Sequence, residues 1–191
     1  PFRGPPLQYR VCHGSTTSPV NPVAMAGGLD ALPPLLWHAE LGRSLLDLWS
    51  GTHHRGVQLH DLRDAVTLWG NRYGQRAWLR QLDRAVDRDV EDAVLRTIAR
   101  LDGTPFPSTV QLAVRWLRGK APSLGRDALD NDLETAYCGE VVAITYGAMG
   151  LLADGHRYSW FDPGRFCSDD ALSLSAGPSL GAGDTVRQPP P

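Results

Sequence analysis

Glu140 is the side chain in this sequence best placed to act as an acid, a base or a charged anchor. It is the only charged residue among the nineteen residues between Glu134 and Asp154, most of which are apolar. A carboxyl group carried into an apolar core has its pKa raised, and perturbed carboxyls of this kind are common at functional sites. A single charged residue on a long helix is more often at a solvent gap or paired with an arginine, of which this chain has many, so the structural role is favoured and the functional role is the alternative.

Small residues beside Glu140 predict a line of close approach. Gly139, Ala143 and Gly147 are spaced four apart, so on a helix they fall along one line. Residues without bulky side chains let a neighbouring backbone or a flat ligand come near. We therefore predict that Tyr137 and these three residues contact a partner or a ligand.

The histidines predict no metal site. A metal site on a helix needs ligands three or four residues apart, and no two histidines of the chain have that spacing. His60 and Asp64 have it but are only two ligands, whereas His38 and Glu40 are two residues apart and would diverge on a helix. We predict no metal and no cofactor.

The overall charge and the cysteines narrow the class of protein. The formal net charge of −2 gives no general attraction to nucleic acid or to a membrane surface. Cys12, Cys138 and Cys167 are an odd number at unrelated spacings, which is not a disulfide framework. A reducing compartment such as the cytoplasm is therefore expected.

One later segment is locally basic. Arg115, Arg118, Lys120 and Arg126 occur there with no acidic residue before Asp127. A basic helix followed by a loop is typical of some nucleic-acid contacts, so nucleic-acid binding is a lesser alternative.

Apolar periodicity predicts helices along most of the chain. Five segments carry it, over residues 35–49, 57–73, 75–101, 108–118 and 132–153. The last segment is long enough to span a bilayer, but insertion would place Glu140 in the apolar layer at a cost of a few kcal/mol. We therefore predict no membrane partner and an all-α fold: a bundle of about five helices around a central apolar helix over residues 132–153.

Composition divides the chain into four parts. Residues 1–29 and 171–191 are rich in Pro, Gly and Ser and are predicted to be irregular, flexible tails around a helical bundle domain over residues 30–154. Residues 155–170 form an aromatic-rich extended segment that we expect to pack back on the bundle or to dock on a partner. Its predicted contact residues are Tyr158, Trp160 and Phe161.

Two segments resemble parts of the Bcl-2 family. Leu62-Arg63-Asp64-Ala65, followed by Trp69 and Arg72-Tyr73, resembles the BH3 region, although the Gly-Asp pair typical of BH3 is Val66-Thr67 here. Residues 139–143 are similar to the start of that family's central apolar helix. The resemblance implies a Bcl-2-like bundle, with amphipathic helices arranged round an apolar one.

The sequence thus favours a non-catalytic protein–protein interaction module or a subunit of a larger assembly. The alternative is a small helical enzyme or ligand-binding protein with a pocket beside Gly139, Ala143 and Gly147, in which Glu140 acts as acid, base or anchor. The state of the small-residue face separates the two hypotheses, because a pocket requires that face to be open.

Overall fold

The structure is a computed structural model. It describes residues 9–14, 23–27, 33–74, 76–83, 87–106, 108, 137–153, 156–161, 163–167, 172, 174–175 and 177–186. The predicted helix over residues 108–118 and the basic residues Arg115, Arg118, Lys120 and Arg126 lie outside these ranges, apart from Ser108.

The described residues form one antiparallel sheet of six strands. The strands are β1 (Tyr9–Gly14), β2 (Val23–Gly27), β3 (Leu35–Glu40), β4 (Gly56–Asp61), β5 (Arg76–Gln81) and β6 (Asp184–Thr185). Their order across the sheet is β4-β3-β2-β1-β5-β6. Both β1 and β2 fall within the range predicted as an N-terminal tail, and β6 falls within the range predicted as a C-terminal tail.

Helices cover both faces of this sheet. They are α1 (Leu62–Tyr73), α2 (Arg88–Leu101), α3 (Cys138–Ala148) and α4 (Pro163–Cys167), with a 3-10 turn at Tyr158–Trp160. Helix α1 packs on one face of β3 and β4, whereas α3 packs on the other face of β2 and β3 and also contacts α2. The described residues therefore form two hydrophobic clusters, one on each side of the sheet.

The helix ends follow from local chemistry. Asp61 caps α1 by accepting hydrogen bonds from the amides of Arg63 and Asp64, and Gly74 ends the helix with a positive φ of 62°. Asp87 caps α2 in the same way through the amide of Val90. Each cap satisfies amides or carbonyls that have no partner inside the helix.

The prediction of an all-α, five-helix bundle is wrong. Residues 35–40, 57–61 and 76–81, each within a predicted helix, belong to strands β3, β4 and β5. The Bcl-2-like arrangement fails for the same reason, because α1 and α3 lie on opposite faces of the sheet. Within the predicted central helix over residues 132–153, the structure describes helix from Cys138 to Ala148.

The aromatic segment lies against the larger cluster. Phe161 and Phe166 are buried in it, as the packing-back prediction requires. Arg80 of β5 links this segment and residues 180–181 to the sheet. Its guanidinium donates hydrogen bonds to the carbonyls of Phe166, Leu180 and Gly181. Among the described residues, no helix has both the length and the apolar character needed to cross a bilayer.

Candidate functional site

The loop between β3 and β4, residues 41–55, carries most of the large hydrophobic side chains that are exposed in the described part of the chain. Of the five large hydrophobic side chains exposed in the described ranges, four belong to this loop; the fifth, Tyr73, ends α1. The four are Leu41, Leu46, Leu48 and Trp49. Leu41 is 62% exposed and Trp49 is 49% exposed, so the loop presents leucine and indole surface to solvent.

The exposed charge on this loop is positive. Arg43 and Arg55 are exposed, as is His53. Asp47 is the loop's one acidic residue, and its side chain is fully buried. The outward surface of the loop therefore combines apolar side chains with guanidinium groups and presents no carboxylate.

Asp47 holds the loop in place. Its carboxylate accepts hydrogen bonds from the amide of Leu59 in β4 at 2.7 Å, from the amide of Ser50 at 2.7 Å and from the Ser50 hydroxyl at 2.5 Å. Burial alone would raise the pKa of Asp47, but these bonds and a contact from His54 together hold that pKa below its ordinary value. The charged carboxylate is thus the form that anchors the loop.

The loop also pairs with the outer edge of β4. The amide of Leu48 donates to the carbonyl of Leu59, and the segment after α2 pairs with Val57 through Gly103 and Thr104. Gly56 makes this approach possible, because a Cβ there would lie 3.0 Å from the carbonyl carbon of Thr104. Both segments are therefore fixed to the sheet by backbone hydrogen bonds.

One polar cluster lies on the solvent side of this anchor. His54 Nε2 is 3.3 Å from a carboxylate oxygen of Asp47, and Asp102 is the third member of the cluster. Burial, followed by the nearby negative charge of Asp47, raises the pKa of Asp102 to about 6. Three ligand atoms from these residues lie within 4.8 Å of one another, a spacing that can hold a metal ion.

A second polar cluster lies under α1, at the base of the same loop. It joins His38 and Glu40 of β3 to His60 of β4, and one ligand atom from each lies within 4.8 Å of the others. His38 and His60 are almost fully buried, with ring centroids 5.2 Å apart, and the ring of Trp69 packs on His38. This cluster can also hold a metal ion.

Hydrogen bonding fixes the tautomer of His60. Its Nδ1 lies 2.8 Å from the carbonyl oxygen of Leu46, which can only accept, so Nδ1 carries the proton and Nε2 presents its lone pair. That Nε2 is 3.8 Å from Oε2 of Glu40. Burial lowers the pKa of His60, and the Leu46 carbonyl only partly opposes this shift.

Glu40 is also shifted toward its neutral form. Burial raises the pKa of Glu40, and a hydrogen bond from Trp69 opposes the shift. Within the described part of the chain, neither Oε2 of Glu40 nor Nε2 of His60 has a hydrogen-bond partner. Two buried polar atoms without hydrogen-bond partners therefore face each other at 3.8 Å.

The sequence predictions missed this cluster because residues 35–49 were predicted as helix. Two residues apart, His38 and Glu40 diverge on a helix but share one face of a strand. The register Leu36↔His60 then brings His60 beside them from β4. The signal that could have found the cluster is the alternation of β3, with Trp37 and Ala39 in the larger hydrophobic cluster and Leu36 and His38 on the α1 side.

The predicted site around Glu140 lies elsewhere, in α3 beneath the opposite face of the sheet. Glu140, Gly139 and Ala143 are all buried. At Gly147, a Cβ would lie 2.8 and 2.9 Å from ring carbons of Tyr158, so this aromatic ring occupies the small-residue line there. A role for these residues in ligand or partner contact stays a prediction.

The other predicted contact residues are close to one another. The hydroxyl of Tyr137 donates to the carbonyl of Ser159, and Trp160 stacks on His156 at 4.0 Å between ring centroids. The guanidinium carbon of Arg165 lies 3.5 Å from the centroid of the same Trp160 ring. Phe161 is buried, so Tyr158 and Trp160 are the more accessible members of the aromatic segment.

Two further residues with potentially nucleophilic side chains, Cys138 and Ser179, lie outside these clusters. Cys138 is buried at the first position of α3. Ser179 lies in Gly177-Pro178-Ser179-Leu180-Gly181, which has the Gly-x-Ser-x-Gly spacing of a nucleophile serine. Its hydroxyl, however, donates a hydrogen bond to exposed Asp83, and the described residues around it are not helical.

Comparisons of the chain with protein-family models, with curated proteins and with solved structures found no match.

Proposed function

We propose that this chain is a non-catalytic protein–protein interaction module whose contact surface is the loop over residues 41–55. The observation that carries the proposal is the concentration of exposed Leu41, Leu46, Leu48 and Trp49 in one anchored loop. Exposed apolar side chains grouped in this way mark interaction sites more often than isolated ones do.

The chemistry of the loop defines the partner. Trp and Arg are the residue types that most often dominate binding energy at protein interfaces, and the loop offers Trp49 with Arg43 and Arg55. A complementary surface has an apolar groove bordered by carboxylates. The partner is therefore a protein with an acidic rim around an apolar groove.

Anchoring of the loop to the sheet favours partner binding. The bonds from Asp47 to Leu59 and from His60 to Leu46 hold the loop on the sheet, so little conformational entropy remains to be lost when a partner binds. An open groove of about 590 Å³ on α1 shares Leu45 with the loop and extends the same surface. Asp64, Thr67, Leu68, Asn71 and Arg72 line the rest of this groove.

A reducing compartment belongs to the same proposal. Cys12, Cys138 and Cys167 are an odd number at unrelated spacings, which is not a disulfide framework and accords with such a compartment. The alternative of an enzyme pocket beside Gly147 gains no support, because the Tyr158 ring occupies that position.

Co-purification followed by mass spectrometry tests the proposal when it is run on matched variants. The double variant Leu48→Ser/Trp49→Ser removes the apolar tip, and Tyr73→Ser removes an equally exposed aromatic ring from the end of α1. We expect a partner recovered with the wild type and Tyr73→Ser to be lost with the loop variant. Binding to the purified partner should also weaken as salt rises, because Arg43 and Arg55 contact its acidic rim.

Three outcomes count against the proposal. Equal recovery with the loop variant would show that the loop is not the contact surface. Co-sedimentation of the purified chain with anionic lipid vesicles, lost on Trp49→Ser, would assign the loop to a lipid surface instead. Loop-dependent dimerisation in sedimentation velocity would assign it to a second copy of the chain.

A further inference from the structure

The His38, Glu40 and His60 side chains converge on one point beneath α1, and the facing atoms of Glu40 and His60 form no hydrogen bond with each other. His60 Nδ1–H is committed to the Leu46 carbonyl, so its Nε2 lone pair faces Oε2 of Glu40 at 3.8 Å. That separation is too long for a hydrogen bond. A buried polar atom with no partner is costly, and here two such atoms occur side by side.

We propose that His38, Glu40 and His60 bind one divalent transition-metal ion, and that Zn²⁺ is the ion this ligand set fits best. Two imidazoles and one carboxylate are a known zinc ligand set, with a fourth position left for water. Imidazole ligands disfavour Mg²⁺ and Ca²⁺, which take oxygen ligands. The site does not rest on the proposed partner contact.

The ligand atoms of Glu40 and His60 are spaced nearly as one ion of this size requires. Tetrahedral zinc with bonds of about 2.0–2.1 Å places its ligand atoms about 3.4 Å apart. The Nε2 to Oε2 distance of 3.8 Å therefore needs to close by only a few tenths of an ångström.

The surroundings match those of zinc ligands. In many metal sites the second ring nitrogen of a ligating histidine donates to a carbonyl, which fixes the ring and its tautomer. The bond from His60 to Leu46 is of this kind. Glu40 is 19% exposed whereas His60 is 1% exposed, so the carboxylate side gives the ion and its water a route from solvent.

Binding would connect two strands and the loop. Glu40 ends β3, His60 lies in β4, and His60 holds Leu46 of the loop. An ion bound by both strands stabilises the folded state over the unfolded chain. The structural consequence is a loop whose base is fixed by a metal.

The test is a titration of chelator-treated full-length chain, free of any histidine tag, with ZnCl₂ in a calorimeter. We expect one Zn²⁺ per chain and, at about a hundredfold excess over Kd, a rise in Tm of about 5–10 °C. His60→Gln and Glu40→Gln should weaken binding at least about tenfold. MgCl₂ at the same concentration should not raise Tm.

The other polar cluster provides the matched control. His54→Gln removes the one imidazole from the Asp47, His54 and Asp102 cluster and should leave Zn²⁺ affinity unchanged. Loss of binding in His54→Gln with retention in His60→Gln would move the ion to that cluster and overturn the proposal. Absence of saturable binding, or equal binding by all variants, would overturn it too. If His60→Gln fails to fold, the isosteric Glu40→Gln at the partly exposed position decides between these outcomes.

Discussion

Asp47→Ala is the substitution expected to release the loop over residues 41–55 from the sheet. The carboxylate is fully buried and accepts hydrogen bonds from the Leu59 amide, the Ser50 amide and the Ser50 hydroxyl. Removing it leaves the buried Leu59 amide unsatisfied, at a cost of about 1–3 kcal/mol, and loses charge-assisted bonds to Ser50. We expect the free energy of unfolding to fall by about 3 kcal/mol in total.

Urea denaturation of the wild type and the variant at neutral pH measures this loss. A fall of about 3 kcal/mol corresponds to a drop in Tm of about 6–12 °C for a chain of this length. The difference in unfolding free energy between the wild type and Asp47→Ala also depends on pH. The pKa of Asp47 is held below its ordinary value of 3.8, so its contribution is complete above that value and disappears as pH falls through the folded-state pKa.

Asp83→Ala is the matched control. Asp83 accepts two bonds from Ser179, from its amide at 2.5 Å and its hydroxyl at 2.6 Å, but it is exposed to solvent. Water can replace the lost carboxylate there, so the loss of stability should be clearly smaller. Equal losses in Asp47→Ala and Asp83→Ala, or no loss in the first, would refute burial of the loop anchor as the cause.

Three other expectations follow from single side chains. The pKa of Asp102 is raised from 3.8 to about 6, so between these two pH values the folded state binds more protons than the unfolded chain. The free energy of unfolding therefore falls as pH rises from 3.8 to about 6. Asp102→Asn should therefore gain stability relative to the wild type across that interval; a pH-independent difference in urea denaturation would contradict the assignment. Gly147→Ala should lower Tm, because overpacking against Tyr158 costs about 1–3 kcal/mol and outweighs a helix gain of about 1 kcal/mol, and the loss should vanish in a Tyr158→Ala background. The thiol of Cys138, 5% exposed, should react with iodoacetamide far more slowly in the native chain than in urea, and rapid native labelling mapped to this residue would reveal an accessible thiol at the start of α3.

The helices were largely predictable, because their apolar periodicity is local. The apolar character of residues 138–146, buried without exception, marked α3, and the periodicity of residues 88–101 marked α2. The strands were missed because helices cover both faces of the sheet. Strand β3 buries Trp37 on one face and Leu36 on the other, so the alternation of apolar and polar residues covers only Trp37 to Glu40, too short a stretch to separate a strand from a helix.

The sheet's pairing and the loop's chemistry depend on distant parts of the chain. Strand β1 pairs with β5 through contacts such as Val11↔Leu79, which no local pattern specifies. Exposure of Trp49 follows from the position of its loop on β4, and amphipathic spacing had placed it on a helix instead. His60 joins His38 only once the register of β3 and β4 is known.

The backbone hydrogen bonds along the outer side of β4 have a consequence for self-assembly. An open strand edge can template another strand and lead to fibres or precipitates. Here Val57 bonds to Gly103 and Thr104, and Leu59 bonds to Leu48 and the Asp47 carboxylate, so that edge has few groups left to recruit a new strand. The opposite edge, β6, is only two residues long. With such edges, the protein can expose leucine and tryptophan side chains without polymerising through its sheet. Any complex it forms must then use side-chain contacts instead of added strands.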